Sequence, residues 1–389
     1  MTAPGSAGAP RVRPAPAHRL LVVDDDPGLR YTLERILSPP HQVDAAAGTG
    51  EALARVAAAS YDLALVDVRL GDGDGYRLCQ AIRRASPATD VILITGSLSE
   101  PDDKLYRALE EGAFYFLFKP FDRRVLQALV ERCLELQRER AAKEAHARTL
   151  ALDLEKARRF QRSLVPGAPV AAAGWQVEGR LLTSDALGGD LYHVQAREEG
   201  VVFSLSDVVG HGVGAALLAG MLRSTLDAAR RRSPEPAEVA RELLAGIDFF
   251  EGALCATLVY GLLAPDGGMR YVNAGHPPLL WQQGDGRVTR LPATGLLLHH
   301  ALRHRPLTAA EVALAPGDRV LVCSDGAFEA RDPADRELGL DRLATAFAAG
   351  RGLAAGAALD ALLAVVREHG AGRPLQDDLT LLLIERTAF

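Results

Sequence analysis

From Arg19 onward, short apolar runs alternate with helical patterns. The order is LLVVDDD, a helix opened by Asp26-Pro27, QVDAAA, a helix after Thr49, LALVDV, a helix to Ala85, VILITG, a helix after Pro101, and FYFLFKP. The runs are almost wholly apolar, so the strands are buried on both faces, and regular βα alternation brings right-handed crossovers. The pattern predicts an α/β domain over 18–122 with a doubly wound five-stranded parallel sheet. Residues 1–17 are mostly Ala, Pro and Gly. Their side chains bury too little to offset the entropy of ordering, and a disordered tail is expected.

Between Phe121 and Leu164 no Gly or Pro interrupts the chain. Leu126, Leu129, Cys133, Leu136, Leu150, Leu154, Ala157 and Leu164 follow one register of three- and four-residue steps, with Arg140 and Lys143 at core positions in its middle. The spacing predicts a helical coiled-coil linker over 123–168, about 66 Å long, that joins two domains and pairs with a second copy. A single solvated helix packed on its own domain is the alternative. After Pro166-Gly167-Ala168-Pro169, strands are expected near 175–182, 201–206, 256–263, 269–273, 319–324 and 379–385, with helices near 214–230, 237–250 and 358–368. The turn signals Pro265-Asp266-Gly267-Gly268 and Gln283-Gly284-Asp285-Gly286 mark hairpins, so 169–389 reads as an α+β sandwich of two antiparallel sheets flanked by helices.

The chain has 389 residues, 48% hydrophobic and 24% charged, with a net charge of −6. That length suits two or three folded domains, and that charge gives no general attraction to nucleic acid or anionic membrane. The linker carries 11 basic and 7 acidic residues, an excess that reads as a solvated helix face, and no basic recognition helix follows. Cys79, Cys133, Cys255 and Cys323 lack CxxC spacing, which points to reduced thiols rather than a disulfide or zinc framework. No apolar stretch reaches the roughly 20 residues of a bilayer span, and no signal pattern stands at the N-terminus. A cytoplasmic protein is expected.

Polar residues that end apolar strands collect at the carboxyl edge of a parallel sheet. Here they are Asp24, Asp25, Asp67, Thr95 and Lys119. Clustered carboxylates call for a hard cation such as Mg²⁺, and a lysine would neutralise an incoming phosphoryl group, so the chemistry is attack of a carboxylate on phosphorus. At these residues, over about 20–121, the chain resembles a bacterial response-regulator receiver domain, whose fold is flavodoxin-like. The resemblance implies that Asp67 is the phosphoacceptor and that Asp24 and Asp25, with Asp67, bind Mg²⁺. It further implies that Thr95 contacts the phosphoryl group, that Lys119 pairs with it, and that Thr95 and Phe116 form the switch. Gly71 stands where the family often has proline.

A second set lies in LGGDLYH, SDVVGHG, SDGAFEA and QDDLT, which contain Asp190, Asp207, Asp325 and the pair Asp377 and Asp378. Glycines beside carboxylates let backbone approach an ion closely, and all-oxygen donors favour Mg²⁺ or Mn²⁺. Two such ions can activate water and stabilise both attacking and leaving oxygens on phosphorus. No Cys-x₅-Arg loop is present. Over about 157–385, including ARRFQRSLVP and YVNAGHPPLL, the chain looks like a PPM-type Ser/Thr protein phosphatase of the sporulation stage II protein E branch. That resemblance implies that Asp190, Asp207, Asp325 and Asp377, with the backbone carbonyl of Val208, hold two Mn²⁺ or Mg²⁺ ions, Asp207 bridging them, while Asp378 helps bind water or a third metal. His193, where the branch usually has aspartate, and the segment ATGLLLH are departures. His211 and His276 read as structural.

Together these readings describe a two-component response regulator. A sensor histidine kinase phosphorylates Asp67, and the receiver then controls a metal-dependent Ser/Thr phosphatase acting on a phosphoserine or phosphothreonine protein, by resemblance an anti-sigma-factor antagonist. A homodimer through the linker helix is expected, with no nucleic acid and no membrane as partner. The competing reading is a phosphorylation-gated adaptor whose phosphatase-like domain has lost turnover.

Overall fold

The computed structural model describes residues 18–96, 115–246 and 254–387. The tail over 1–17, the helix expected after Pro101 and the last four residues of the helix expected over 237–250 lie outside them. The chain divides into two compact units, with the division between Thr149 and Leu150.

In the first unit, β1 (Arg19–Val23), β2 (Gln42–Ala46), β3 (Leu63–Asp67), β6 (Asp90–Thr95) and β7 (Tyr115–Phe118) form a parallel sheet in the order β2-β1-β3-β6-β7. The apolar runs are explained by the pleat. Alternation sends Leu21, Val23, Ala64 and Val66 to one face, where they pack on Leu78 and Ile82 of the helix α3 (Gly75–Ala85). Leu20, Val22, Leu63 and Leu65 go to the other, against Leu33 and Leu37 of α1 (Pro27–Leu37). Helix α2 (Thr49–Ala58) follows β2 and buries Ala52 and Val56 in the first of these clusters.

A helix α4 runs unbroken over Arg123–Ser163, about 62 Å at 1.5 Å per residue. Its seam residues Leu126 and Cys133, with Val130 and Leu134, are buried in the first unit beside Leu20 and Ile92, and Leu129 packs against them. That half of the register therefore serves the first unit's own core rather than a facing helix. Gln137 Nε2 donates to the carbonyls of Asp62 (3.0 Å) and Ala88 (2.5 Å), tying the helix to the strand starts. Residues 138–153 are exposed throughout.

The second unit holds two antiparallel sheets. One contains β10 (Leu191–Arg197), β11 (Gly200–Val208), β12 (Cys255–Leu263), β13 (Gly268–Ala274) and β17 (Ala310–Ala313) in that order, with β16 (Leu298–His299) pairing with β12. The other runs β15 (Val288–Leu291), β14 (Leu279–Gln282), β18 (Arg319–Cys323), β19 (Leu379–Arg386), β9 (Trp175–Leu182), β8 (Val170–Ala172). Phe203, Val259 and Tyr271 of the first meet Val177, Val322 and Ile384 of the second in the inner core. Helices α5 (Val213–Arg232) and α6 (Pro236–Gly246) cover the first sheet, and α7 (Leu340–Ala349) and α8 (Ala355–Gly370) the second. Both hairpins expected from turn residues are present, joining β12 to β13 and β14 to β15. The strands β8, β10, β16 and β17 and the helix α7 are additions to the sequence reading. The strand expected over 201–206 extends to Val208, so Asp207 sits within it rather than in the turn beyond.

Candidate functional site

At the carboxyl edge of the parallel sheet, the ligand oxygens of Asp24, Asp25 and Asp67 all lie within 4.8 Å of one another. Asp24 and Asp67 are buried and Asp25 is exposed, which opens the cluster to solvent on one side. Lys119 Nζ reaches 2.9 Å from Asp24 Oδ2 and 3.1 Å from Asp67 Oδ1. The strand pairing of β6 and β7 makes this possible, because the Lys119 N–H donates to the Thr95 carbonyl at 2.7 Å and fixes the chain just beyond β7. Burial raises the Asp67 carboxyl above its ordinary value, and Lys119 acts against that rise. Lys119 itself is held above its usual range: burial disfavours its charge, but hydrogen bonds to Asp24 and Asp67 outweigh it.

The loop after Asp67 closes on itself. Arg69–Leu70 and Gly73–Asp74 form a two-residue hairpin, β4 with β5, that spans Gly71. Asp74 then caps α3 by accepting from the Tyr76 N–H. A Cβ on Gly75 would overlap the Asp67 carbonyl, so only glycine lets α3 start this close to the site. Thr95 is buried at the end of β6, and Phe116 lies opposite Leu93 and packs on the sheet face shared with α3.

In the second unit, Asp190 precedes β10, Asp207 lies near the end of β11, Asp325 follows β18 and Asp377 precedes β19. Their charges are felt mutually. Burial lifts the Asp207 carboxyl to about 7, and Asp325 and Asp377 push it in the same direction. Asp190 is raised well above its usual range, first by burial and then by Asp207; Asp325 is raised by burial and by Asp377. Buried carboxylates raised in this way favour a proton or a cation over bare charge, and hard divalent ions with oxygen ligands fit such a donor set. The Asp190 carboxylate is aimed by Thr380, whose Oγ1 donates to Oδ2 at 2.6 Å. Val208 lies beside this set, its N–H facing the Gly189 carbonyl at 3.4 Å. Gly210 and Gly212, with φ of +98° and +81°, turn the chain from β11 into α5.

Asp378, beside Asp377, is engaged with the backbone. It is 3% exposed. One of its oxygens accepts the Ser184 N–H at 2.8 Å and the other the Gly189 N–H at 2.7 Å, so its lone pairs are directed into the turn that carries Asp190. A Cβ on Gly188 would overlap that carboxylate, and one on Gly326 would overlap the Asp378 carbonyl. The sequence reading missed two further residues. Thr380 is one, and the other is Gln161 near the end of α4, whose Nε2 donates to the Gly188 carbonyl at 2.6 Å and whose Oε1 accepts the Gly188 N–H at 3.2 Å. Gln161 is nine-tenths buried within a helix end that is otherwise mostly exposed, and a buried amide is the signal that could have marked it.

The two histidines expected to be structural differ. His276 is buried, its Nδ1 2.6 Å from Thr257 Oγ1 and its N–H donating to Asn273, whereas His211 is exposed, 3.6 Å from Asp185. His193 is driven down to about 3, first by burial and then by Arg223 and Arg230.

Residues 20–131 match the family model of the response regulator receiver domain, and residues 197–387 match that of stage II sporulation protein E (SpoIIE). The transcriptional regulatory protein GlrR of Escherichia coli (strain K12) is 37% identical over 121 residues, 31% of this chain and 27% of that protein. The chain thus spans about a quarter of the length of that curated relative. The SiaA-PP2C domain of Pseudomonas aeruginosa superposes with a TM-score of 0.55 at 21% identity, over 63% of this chain and 99% of that one, which shows the fold. The RsbU and RsbW domains of Rv1364c from Mycobacterium tuberculosis superpose with a TM-score of 0.50 at 28% identity, over 58% of this chain and 62% of that one. The chain thus joins a segment that matches the response regulator receiver domain to one that matches stage II sporulation protein E.

Proposed function

We propose that this chain is a two-component response regulator in which phosphorylation of Asp67 by a sensor histidine kinase controls metal-dependent hydrolysis of a phosphoserine or phosphothreonine protein. The observation that carries the output half is that Asp190, Asp207 and Asp325 are raised by burial and then by neighbouring carboxylates, Asp377 among them, an environment that a divalent cation would relieve. In this reading these four carboxylates, with the Val208 carbonyl, would hold two Mn²⁺ or Mg²⁺ ions, with Asp207 shared between the two. Bound there, the metal pair would supply Lewis acidity and a lowered water pKa for in-line attack on phosphorus. Thr380 orients Asp190, and Asp378 fixes the turn on which Asp190 stands.

In the input half, Asp24, Asp25 and Asp67 would hold Mg²⁺, Asp67 would take the phosphoryl group, Lys119 and Thr95 would bind it, and Phe116 would report it. Gln161 supports a role for α4 in transmission, because the helix end touches the Asp190 turn through two hydrogen bonds. We take 18–122 as the receiver, 123–168 as the linker and 169–389 as the phosphatase. Leu150, Leu152 and Phe160 are 54%, 63% and 68% exposed, which supports pairing of this part of the helix with a second copy. Among the described residues no helix is long and apolar enough to cross a membrane, and we place the protein in the cytoplasm with its kinase. An anti-sigma-factor antagonist is the phosphoprotein class we propose as substrate.

The test is phosphate release from a phosphoserine protein and from a small aryl phosphate, with Mn²⁺ or with chelator, by the purified chain and by Asp207→Asn. Metal-dependent release that is lost in the variant supports the reading. A folded chain that releases nothing with any metal or phosphodonor would be an adaptor instead.

A further inference from the structure

A cleft of about 290 Å³ opens beside the proposed metal ligands, with Gly326 and Asp377 in its wall. Leu363 and Val366 of α8, with Leu379 of β19, give it an apolar floor, and Arg331, Arg367 and Arg373 stand along it. It lies at the small end of ligand cavities, suited to a few side chains of an extended segment rather than to a free cofactor.

The three arginines are not equivalent. Arg331 is committed to Asp335 and Glu337, so its charge is neutralised in place. Arg373 makes one hydrogen bond, from Nη1 to the Asp332 carbonyl at 3.1 Å, which braces the side chain without neutralising it. The carboxylate of Asp332 is occupied by Arg336 at 2.7 Å. Arg367, in the last turn of α8, is exposed and has no carboxylate partner among the described residues. Against these two uncommitted cations the cleft wall carries Glu329 and the proposed metal ligand Asp377; burial, then Asp325, raises the Glu329 carboxyl above its ordinary value. The result is an apolar slot whose uncommitted cations gain the upper hand once Asp377 is committed to a metal ion, continuous with the site where phosphorus would be attacked.

We propose that this cleft holds the stretch of the substrate protein next to its phosphorylated residue, an apolar side chain on the floor and an acidic side chain between Arg367 and Arg373, so that it selects phosphoprotein segments with acidic neighbours. The inference rests on the phosphatase reading above and adds its substrate class. Opposite charges placed along a docking track chiefly set which partner is accepted, and they act on the binding of the segment rather than on the chemical step.

The experiment compares two phosphoserine peptides, alike except that the residues flanking phosphoserine are acidic in one and neutral in the other. It uses the full chain, with aryl phosphate as a separate measure of turnover. With Mn²⁺, the acidic peptide is expected to be favoured about tenfold in kcat/KM, almost entirely through KM. Arg367→Glu with Arg373→Glu should abolish that preference and favour a third peptide with basic flanks. Arg367→Gln with Arg373→Gln should abolish it without the reversal. Equal values for the acidic and neutral peptides in the native chain, or a preference that survives in both double variants with native melting curves, would overturn the proposal. Peptide binding by fluorescence anisotropy in chelator separates the two readings. Preferential binding of the acidic peptide by a chain that turns over neither peptide nor aryl phosphate would keep the cleft and discard the phosphatase; indifferent binding would discard the cleft.

Discussion

Gln161 and Gly188 exchange two hydrogen bonds, 2.6 Å from the side-chain amide to the glycine carbonyl and 3.2 Å from the glycine N–H to the side-chain oxygen. Both groups are buried. Gly188 lies two residues before Asp190, so the end of α4 fixes the turn that presents a proposed metal ligand. Removing the amide leaves the glycine polar groups without these partners, a cost of about 1–3 kcal/mol. We expect Gln161→Ala to lower metal affinity and phosphate release together while the receiver still accepts phosphate, checked by Mn²⁺ titration of release. A variant with native metal dependence would show that the contact only anchors the helix.

The carboxylate of Asp378 is expected to matter through structure rather than through a bound ion. Asp378→Ala strips partners from the N–H groups of Ser184 and Gly189. It should cost about 1–3 kcal/mol or more in urea unfolding, with looser metal binding as the consequence. Loss of activity at native stability and native metal affinity would return Asp378 to a chemical role.

Leu126 and Leu150 belong to one heptad register but face different surroundings. Leu126 is buried and Leu150 is 54% exposed. Leu126→Ala should destabilise the receiver unfolding transition by about 2–5 kcal/mol, whereas Leu150→Ala should shift thermal unfolding of dilute protein by less than about 0.5 kcal/mol. A large effect of Leu150→Ala that grows with protein concentration would report a helix pair.

Lys119 is the cation that offsets the charge of Asp24 and Asp67. In Lys119→Ala the Asp67 carboxyl should rise further, and the incoming phosphoryl charge loses a partner. Phosphorylation by a small acyl phosphate with Mg²⁺ is expected to slow about a hundredfold, read as phosphoprotein formed over time. An unchanged rate would exclude Lys119 from phosphoryl binding.

His193 predicts a pH dependence of stability. Its imidazole stands at about 3 in the folded chain, against about 6.5 when unfolded. Below about 6.5 the unfolded chain takes up a proton that the folded chain refuses, so this residue's contribution is whole above that pH and is lost progressively as pH falls toward 3. His193→Gln should show a smaller fall in Tm between pH 7 and pH 5 than the native chain. An equal fall would mean that other groups dominate acid unfolding.

Much of this architecture is legible in the sequence because burial writes itself into composition. Strands β3 and β6 are buried on both faces and read as continuous apolar runs. Strand β10 escaped notice because LYHVQAR mixes buried Leu191, Tyr192 and Val194 with exposed Gln195 and Ala196 and follows no strict alternation. Helix α7 is rich in alanine, with only Leu343 and Phe347 buried, too little for a clear periodic signal. The proposed metal ligands stood out as carboxylates beside glycines. Their supporting residues did not, since Asp378 acts on backbone N–H groups nearly two hundred positions away and Thr380 reaches Asp190 across a similar interval. Likewise, the three- and four-residue spacing of α4 shows that one face is apolar, but it does not name what covers that face. Leu126 and Cys133 turn out to be covered by the receiver.

The solvated stretch of α4 over 138–153 imposes a constraint on sequence drift of an unusual kind. Without packed neighbours, almost any residue with good helix propensity can replace another there at little cost. Chain length is different, because each residue added or removed turns everything downstream by about 100° and moves it by about 1.5 Å. This segment can therefore lose its spelling freely while it keeps its count, and a change of seven residues, which nearly restores the helical phase, is the length variation it should best endure.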